Sequence, residues 1–135
     1  MSTESNIASR QAVRAAVNEG RLEAFADLVT PASVDHDGGP GQGPGPDGYQ
    51  AFFTELRAAF PDLHIEAEHV TAAEDDVAFA YTLTGTHSGS FQGHQPTGRS
   101  FSVRGVQISR FEGGLLAERW ESTDEAGLLK QLGLA

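Results

Sequence analysis

The hydrophobic period of this chain changes once, at Pro61, and that change restricts the folds open to it. Before Pro61, the residues Tyr49, Phe52, Phe53, Leu56 and Phe60 fall at i, i+3, i+4, i+7 and i+11. This is the stripe of an amphipathic helix, and Pro61 stops it. After Pro61, Leu63, Ile65 and Ala67 alternate with His64, Glu66 and Glu68, the period of a strand with one wet face. A chain that runs helices first and strands afterwards folds as α+β.

The flanking segments fit this order. Residues from about Ser5 to Asn18 predict a first helix, broken by Glu19-Gly20. Leu22, Phe25, Leu28 and Val29 repeat at helical spacing ahead of Pro31, so a second short helix completes an αα-hairpin. Asp47 is placed to cap the third helix. Glu74-Asp75-Asp76 turns the chain into a long strand from Val77 to His87. Further strands run over Ser100–Phe111 and Leu115–Ser122, joined by Glu112-Gly113-Gly114. Leu128, Leu129 and Leu132 mark a closing helix, with Gly133 at its C′ position. One domain over residues 1–135 is expected: an antiparallel meander of about four long strands, three N-terminal helices and a short C-terminal helix.

Between the second and third helices lies DHDGGPGQGPGPDG, Asp35 to Gly48. Its glycines and prolines exclude helix or central strand, and its neighbours are too small to be separate domains. It reads as a loop across the mouth of a site. The later strands are apolar on both sides: Phe101, Val103 and Phe111 oppose Val106 and Ile108. Helices cover only one face, so a homodimer joined through the sheet is expected.

The formal net charge is −10, with only nine Lys and Arg. Such a chain is not expected to bind nucleic acid or anionic membranes. It has no cysteine, which removes disulfides, thiolate–metal sites and a cysteine nucleophile. The opening MSTESN has no apolar signal region, and no apolar run approaches the roughly 20 residues that cross a bilayer. The expected location is the cytoplasm.

Three residues stand out for chemistry. His87 continues the face of Val77, Phe79, Tyr81 and Leu83, unless a bulge at Gly85 reverses the register. His36 sits between Asp35 and Asp37 at the start of the Gly/Pro loop. Asp124 follows Trp120-Glu121-Ser122-Thr123 at the last strand–helix junction and is the best acid–base candidate. Its competing reading is structural: Ser122 and Glu125 form an S-x-x-E capping box, with Asp124 in the first helical turn. No H-x-H or H-x-x-x-H spacing fixes a metal pair, and none is expected. Neither a nucleophile triad, a P-loop nor a dinucleotide fingerprint is present.

Four segments taken together are familiar: VDHD at Val34–Asp37, AFPDL at Ala59–Leu63, GTHSGSFQGHQPTGR at Gly85–Arg99, and ISRFEGGLLAERWESTDEAGLLKQLG at Ile108–Gly133. In these the chain resembles the SnoaL-like polyketide cyclases, or ester cyclases, of the nuclear-transport-factor-2-like superfamily. The resemblance implies a cone-shaped fold, a strongly curved antiparallel sheet wrapped around helices with a deep pocket, usually dimeric. It implies ring closure by intramolecular aldol condensation without metal or cofactor. It also implies a general acid/base at Asp124. The assisting histidine of the cyclases has no clear equivalent; Gln107 or Ser109 occupies that region, and His87 lies on another strand.

The resulting expectation is an enzyme acting on a small hydrophobic carbonyl compound by aldol cyclisation or isomerisation. Asp124 removes the proton, and His87, His36 or Gln107 stabilise the enolate. Trp120, Phe53, Tyr81 and Tyr49 line the substrate site with Gln107. The alternatives are a non-catalytic small-molecule-binding protein of the same fold and an epoxide or ester hydrolase. The hydrolase needs Asp124 paired with Arg104 or Arg119.

Overall fold

A computed structural model describes residues 2–39 and 41–135. Pro40, in the Gly/Pro loop, lies outside the described residues. Helix α1 spans Thr3–Glu19, capped by the Ser2 side chain on the Ser5 amide. Gly20 ends it in the left-handed region. A single 3₁₀ turn, Leu22–Ala24, leads into α2, Phe25–Leu28. Strand β1 then runs over Val29–Asp35 and α3 over Gly45–Ala59. The meander follows as β2 (His64–Ala73), β3 (Asp76–Thr86), β4 (Ser100–Glu112) and β5 (Leu115–Thr123), and α4 (Glu125–Gln131) closes the chain.

The strands form one curved, unclosed sheet in the order β1-β5-β4-β3-β2. The last four pair antiparallel, as the alternation predicts. The fifth strand is an addition. Val29-Thr30-Pro31-Ala32-Ser33-Val34-Asp35 pairs parallel with β5 at the sheet edge. A strand containing Pro31 lacks one ladder donor, which is tolerable only at an edge. Its proline and lack of alternation hide it from a periodicity argument. Val29 therefore opens a strand rather than ending a helix.

Helix α3 also begins earlier than Asp47. Pro44 takes the N-cap position and Pro46 sits in the first turn, where a missing N–H costs nothing. Gly45 has φ +77°, and a side chain there would collide with the Pro31 carbonyl oxygen. The close approach of α3 to β1 thus requires this glycine.

Helix α1 packs on β2 and β3, α3 on β1, and α4 on β4. The aromatic stripe of α3 faces inward: Phe25 stacks on Tyr49 and Phe53 with ring centroids 6.0 and 5.6 Å apart. The opposite sheet face is open in the single chain, with Val106 57% and Ile108 46% exposed. No described helix is long and apolar enough to cross a membrane.

Gly85 pairs with Phe101 in unbroken register, so β3 carries no bulge there. A Cβ at Gly85 would lie 2.9 Å from Phe101 Cε2 and 3.1 Å from Phe60 Cβ. Gly85→Ala is expected to cost about 1–3 kcal/mol through overpacking, measured as a lower urea midpoint with an unchanged slope.

Candidate functional site

Which side chains face the interior is decided by a bulge in β5. Arg110 pairs with Glu118, but Phe111 pairs with Leu116, leaving Ala117 as an extra residue. One extra residue inverts the alternation beyond it. Leu116 points inward, and after the bulge so do Arg119, Glu121 and Thr123. Trp120 turns outward. From β4 the inward set includes Gln107, Ser109 and Phe111, directly beside these residues.

The inward residues build a polar seam across an otherwise apolar interior. Arg119 Nη1 donates to both oxygens of Asp35 at 3.0 Å, and Arg119 Nε donates to Gln107 Oε1 at 3.1 Å. Gln107 Nε2 donates to Ser109 Oγ at 3.1 Å. The Asp35 carboxylate is 0% exposed and the Arg119 side chain 9%, so this ion pair sits away from water. The Asp37 amide and Gln42 Nε2 complete the shell around Asp35. Beyond the pair, the Tyr81 hydroxyl donates to Glu121 Oε2 at 2.9 Å. The Thr123 hydroxyl contacts the same carboxylate and lies 2.6 Å from Tyr81. The Glu121 amide is held by Asp37 Oδ2 at 2.8 Å.

Burial raises the pKa of Tyr81, and the neighbouring Glu121 raises it further. Burial likewise pushes Tyr49 up to about 12. Both phenols therefore remain protonated across the neutral range. Tyr49 accepts a hydrogen bond from Ser33 Oγ at 3.1 Å.

Three neighbouring cavities that share lining residues make up a hollow along this seam. Its inner end, about 20 Å³, is walled by α1, Tyr49, Phe53, Gln107 and Arg119. A middle part of about 50 Å³ lies between Phe53, Tyr81, Gln107, Arg119 and Glu121. An outer chamber of about 410 Å³ opens between Asp37, Gly38, Gly39, Phe52, Phe91, Glu121 and Thr123. The start of the Gly/Pro loop and the loop after β3 thus form the mouth. Glu121 lines both the middle part and the outer chamber.

The family model for SnoaL-like polyketide cyclases matches residues 7–132. The chain belongs to that family. It is 28% identical over 124 residues to the nogalonic acid methyl ester cyclase of Streptomyces nogalater, covering 87% of this chain and 90% of that protein. TsrD of Streptomyces laurentii superposes with a TM-score of 0.90 at 26% identity, over 100% of this chain and 99% of that one. IdmH of Streptomyces antibioticus gives 0.81 at 30% identity, over 95% and 98%.

Of the residues expected to form the site of this family member, Tyr49, Phe53, Tyr81 and Gln107 do line the hollow. Four others lie elsewhere. Asp124 is exposed, and its Oδ1 accepts the Gly127 amide at 2.9 Å, so it is itself the N-cap of α4. Ser122 does not take that place. Trp120 and His36 stack on each other outside the sheet, centroids 4.8 Å apart, with His36 Nε2 2.9 Å from Glu118. His87 faces inward but is sealed under the loop after β3, among Phe60, Phe91 and Phe101. Its Nδ1 accepts the Thr97 amide at 3.1 Å, which puts the proton of the neutral ring on Nε2. Arg119 and Glu121 line the hollow although alternation along β5 misplaces them, and Asp35 backs Arg119 from the edge strand β1, which the periodicity overlooks. No cluster of three or more His, Asp or Glu suited to a metal occurs among the described residues.

Two outcomes follow for the seam. Arg119→Met strands the Asp35 carboxylate and is expected to destabilise by about 3–5 kcal/mol, with Asp35→Leu in addition restoring most of it; chemical denaturation of the double-mutant cycle reads this. Tyr49 has a raised folded pKa. Its stabilising contribution is complete below the unfolded phenol value near ~10. It falls as pH rises toward about 12. Stability measured across that alkaline window is expected to fall less steeply in Tyr49→Phe.

Proposed function

We propose that this protein is a cofactor-independent acid–base catalyst acting on a small, largely apolar carbonyl compound, with Glu121 as the general base. One observation carries the reading. Glu121 presents a carboxylate at the boundary between the narrow inner cavity and the outer chamber, beside Tyr81, Thr123 and Arg119. Asp124, expected in this role from the family motif, faces solvent and is occupied by its helix cap. Kinship with a nogalonic acid methyl ester cyclase supports ring closure as the reaction.

The chemistry runs within these residues. Glu121 takes a proton from the carbon α to a carbonyl, and the electron pair passes to the carbonyl oxygen. Tyr81, Gln107 or Arg119 supplies hydrogen-bond donors and positive potential to that enolate, in a site poor in water. The enolate carbon then attacks a second carbonyl of the same molecule. A carbon–carbon bond forms, and the new alkoxide recovers the proton from Glu121. Protonation at another carbon gives isomerisation instead. The Asp35–Arg119 pair holds charge near the reaction without exchanging protons. Phe52, Phe53 and Leu56 supply the apolar wall, and the Gly/Pro loop covers the mouth.

The same proposal includes a homodimer through the exposed sheet face, where Val106, Ile108, Val34 and Trp120 stand uncovered. A soluble, cytoplasmic setting suits this chemistry and a chain without cysteine.

The test is proton exchange. Hydrophobic 1,3-dicarbonyl compounds incubated with the protein in deuterated buffer are expected to lose their α-proton signal faster than in buffer alone. Glu121→Gln is expected to slow that exchange by about 10²–10⁴-fold. Asp124→Asn keeps the cap and is expected to leave the rate within a few-fold. Exchange unaffected by Glu121→Gln, or abolished by Asp124→Asn with the fold intact, would overturn the assignment.

A further inference from the structure

Helix α1 presents an unusual face to the interior. Asn6, Arg10, Val13, Arg14 and Val17 recur at helical spacing on the side that packs on β2 and β3. A core-facing stripe is ordinarily apolar. Here three of its five positions are polar, and two are arginines one turn apart. Arg10 is only 3% exposed. Like charges at this spacing repel, and burial draws the Arg10 guanidinium below the usual arginine range, with Arg14 adding to the effect.

Neither guanidinium is fully paired among the described residues. Arg10 Nε and Nη1 are buried with no partner, as is Arg14 Nε. Arg14 Nη1 donates to the Ile65 carbonyl at 3.1 Å. The Arg10 guanidinium lies over the Phe79 ring, 4.8 Å from its centroid. That contact covers one face of the cation and leaves its N–H groups, which lie in the guanidinium plane, free to donate. Both arginines line the inner end of the hollow together with Arg119. No acid is among the residues lining that end, and the nearby Asp35 is already committed through both oxygens to Arg119. The chain carries 19 Asp and Glu and a net charge of −10, yet the inner end of its cavity holds three cations against one carboxylate. Burying an unpaired charge is costly, and it persists where an incoming group pairs with it.

We propose that the inner end of the cavity is a carboxylate site, in which Arg10 and Arg14 bind the acid group of a ligand whose apolar body extends past Phe53 and Tyr81. This deepens the function proposed above and rests on the hollow being the ligand site. A guanidinium presents parallel N–H donors that match the two oxygens of a carboxylate. The inner end measures about 20 Å³. It is the narrowest part of the hollow and suits a small terminal group. A molecule anchored there runs through the middle part, walled by Phe52, Phe53, Leu56 and Tyr81, and arrives at Glu121. The substrate class is accordingly an acid: a carboxylate at one end, an apolar spacer, and an enolisable carbonyl toward the mouth. Arg10 and Arg14 act as anchors and take no part in proton transfer.

Binding, not turnover, tests this, so the result is independent of the exchange assay on Glu121. Phenylacetate, phenylacetamide, methyl phenylacetate and inorganic phosphate are titrated into the full-length protein by calorimetry and by thermal shift. The acid is expected to bind at least roughly tenfold more tightly than its isosteric amide. Arg10→Met removes an unpaired buried cation in favour of an apolar side chain of similar length, and is expected to fold at least as well as the parent. It is expected to erase the preference for acid over amide while leaving amide binding in place. Arg14→Met is the second variant and is expected to reduce the preference in part. Equal binding of acid and amide by the parent overturns the proposal. So does a preference that survives both variants, or one reproduced by inorganic phosphate alone with no gain from the apolar body. No acid preference in the parent protein, with exchange at Glu121 intact, removes the anchor and leaves the base. The reverse pattern removes the base and leaves the anchor.

Discussion

Between the Arg110–Glu118 and Phe111–Leu116 pairs, β5 carries one residue more than β4, and much of the interior depends on that count. Side chains alternate along a strand, so a single inserted residue exchanges the two faces for everything downstream. Ala117 absorbs the insertion, small enough to be buried without displacing its neighbours. Before it, Leu116 belongs to the core. After it, Arg119, Glu121 and Thr123 enter the hollow, while Trp120 goes out to stack on His36. Without the bulge, an indole and Glu118 would fill the space now held by a guanidinium and the Glu121 carboxylate.

The electrostatics of the interior follow from that placement. Arg119 brings a positive charge into a region with little water, and β1 answers it with Asp35, whose carboxylate is fully enclosed. An edge strand is an unusual source for such a partner. It can serve because β1 runs parallel beside β5, with Asp35 opposite Arg119 itself. Gln107 then fixes the guanidinium from the other side. The pair is held in one orientation by neighbours on three elements, which is what an ion pair needs to repay its desolvation. Helix α1 adds two more cations at the inner end with no acid of their own. The hollow is thus electropositive at its base inside a chain that is strongly acidic overall. Our proposed base, Glu121, stands where that positive region gives way to the mouth.

The helix–sheet division also explains why two aromatic–histidine groupings have different surroundings. His87 is sealed among phenylalanines, and its ring nitrogen fastens the loop after β3 through the Thr97 amide. His36 lies on the outer sheet face, wet enough to pair with Glu118. The first belongs to the packing that shapes the mouth. The second belongs to the open, apolar sheet surface that we propose pairs with another copy.

The inward faces of β3 at His87 and of β4 at Gln107 stayed open in the sequence; what it did carry were the class of fold, the order of helices and meander, and the inward stripe of α3. These are local patterns: a helix period, a strand period, and prolines or glycines that end each run. Tyr49, Phe53 and Tyr81 were legible as wall residues for that reason, and the motif segments carried the family and, through it, Gln107. Tertiary structure alone decided the rest. Strand β1 has no alternation, and only a neighbour at the sheet edge makes Val29–Asp35 extended. Asp124 became a cap because α4 starts one residue after it, and local capping rules admitted Ser122 equally well. The faces of Trp120 and Glu121 turned on the Ala117 bulge. A bulge is a mismatch in length between two strands, so it exists only in their pairing and leaves no sign in either strand read alone.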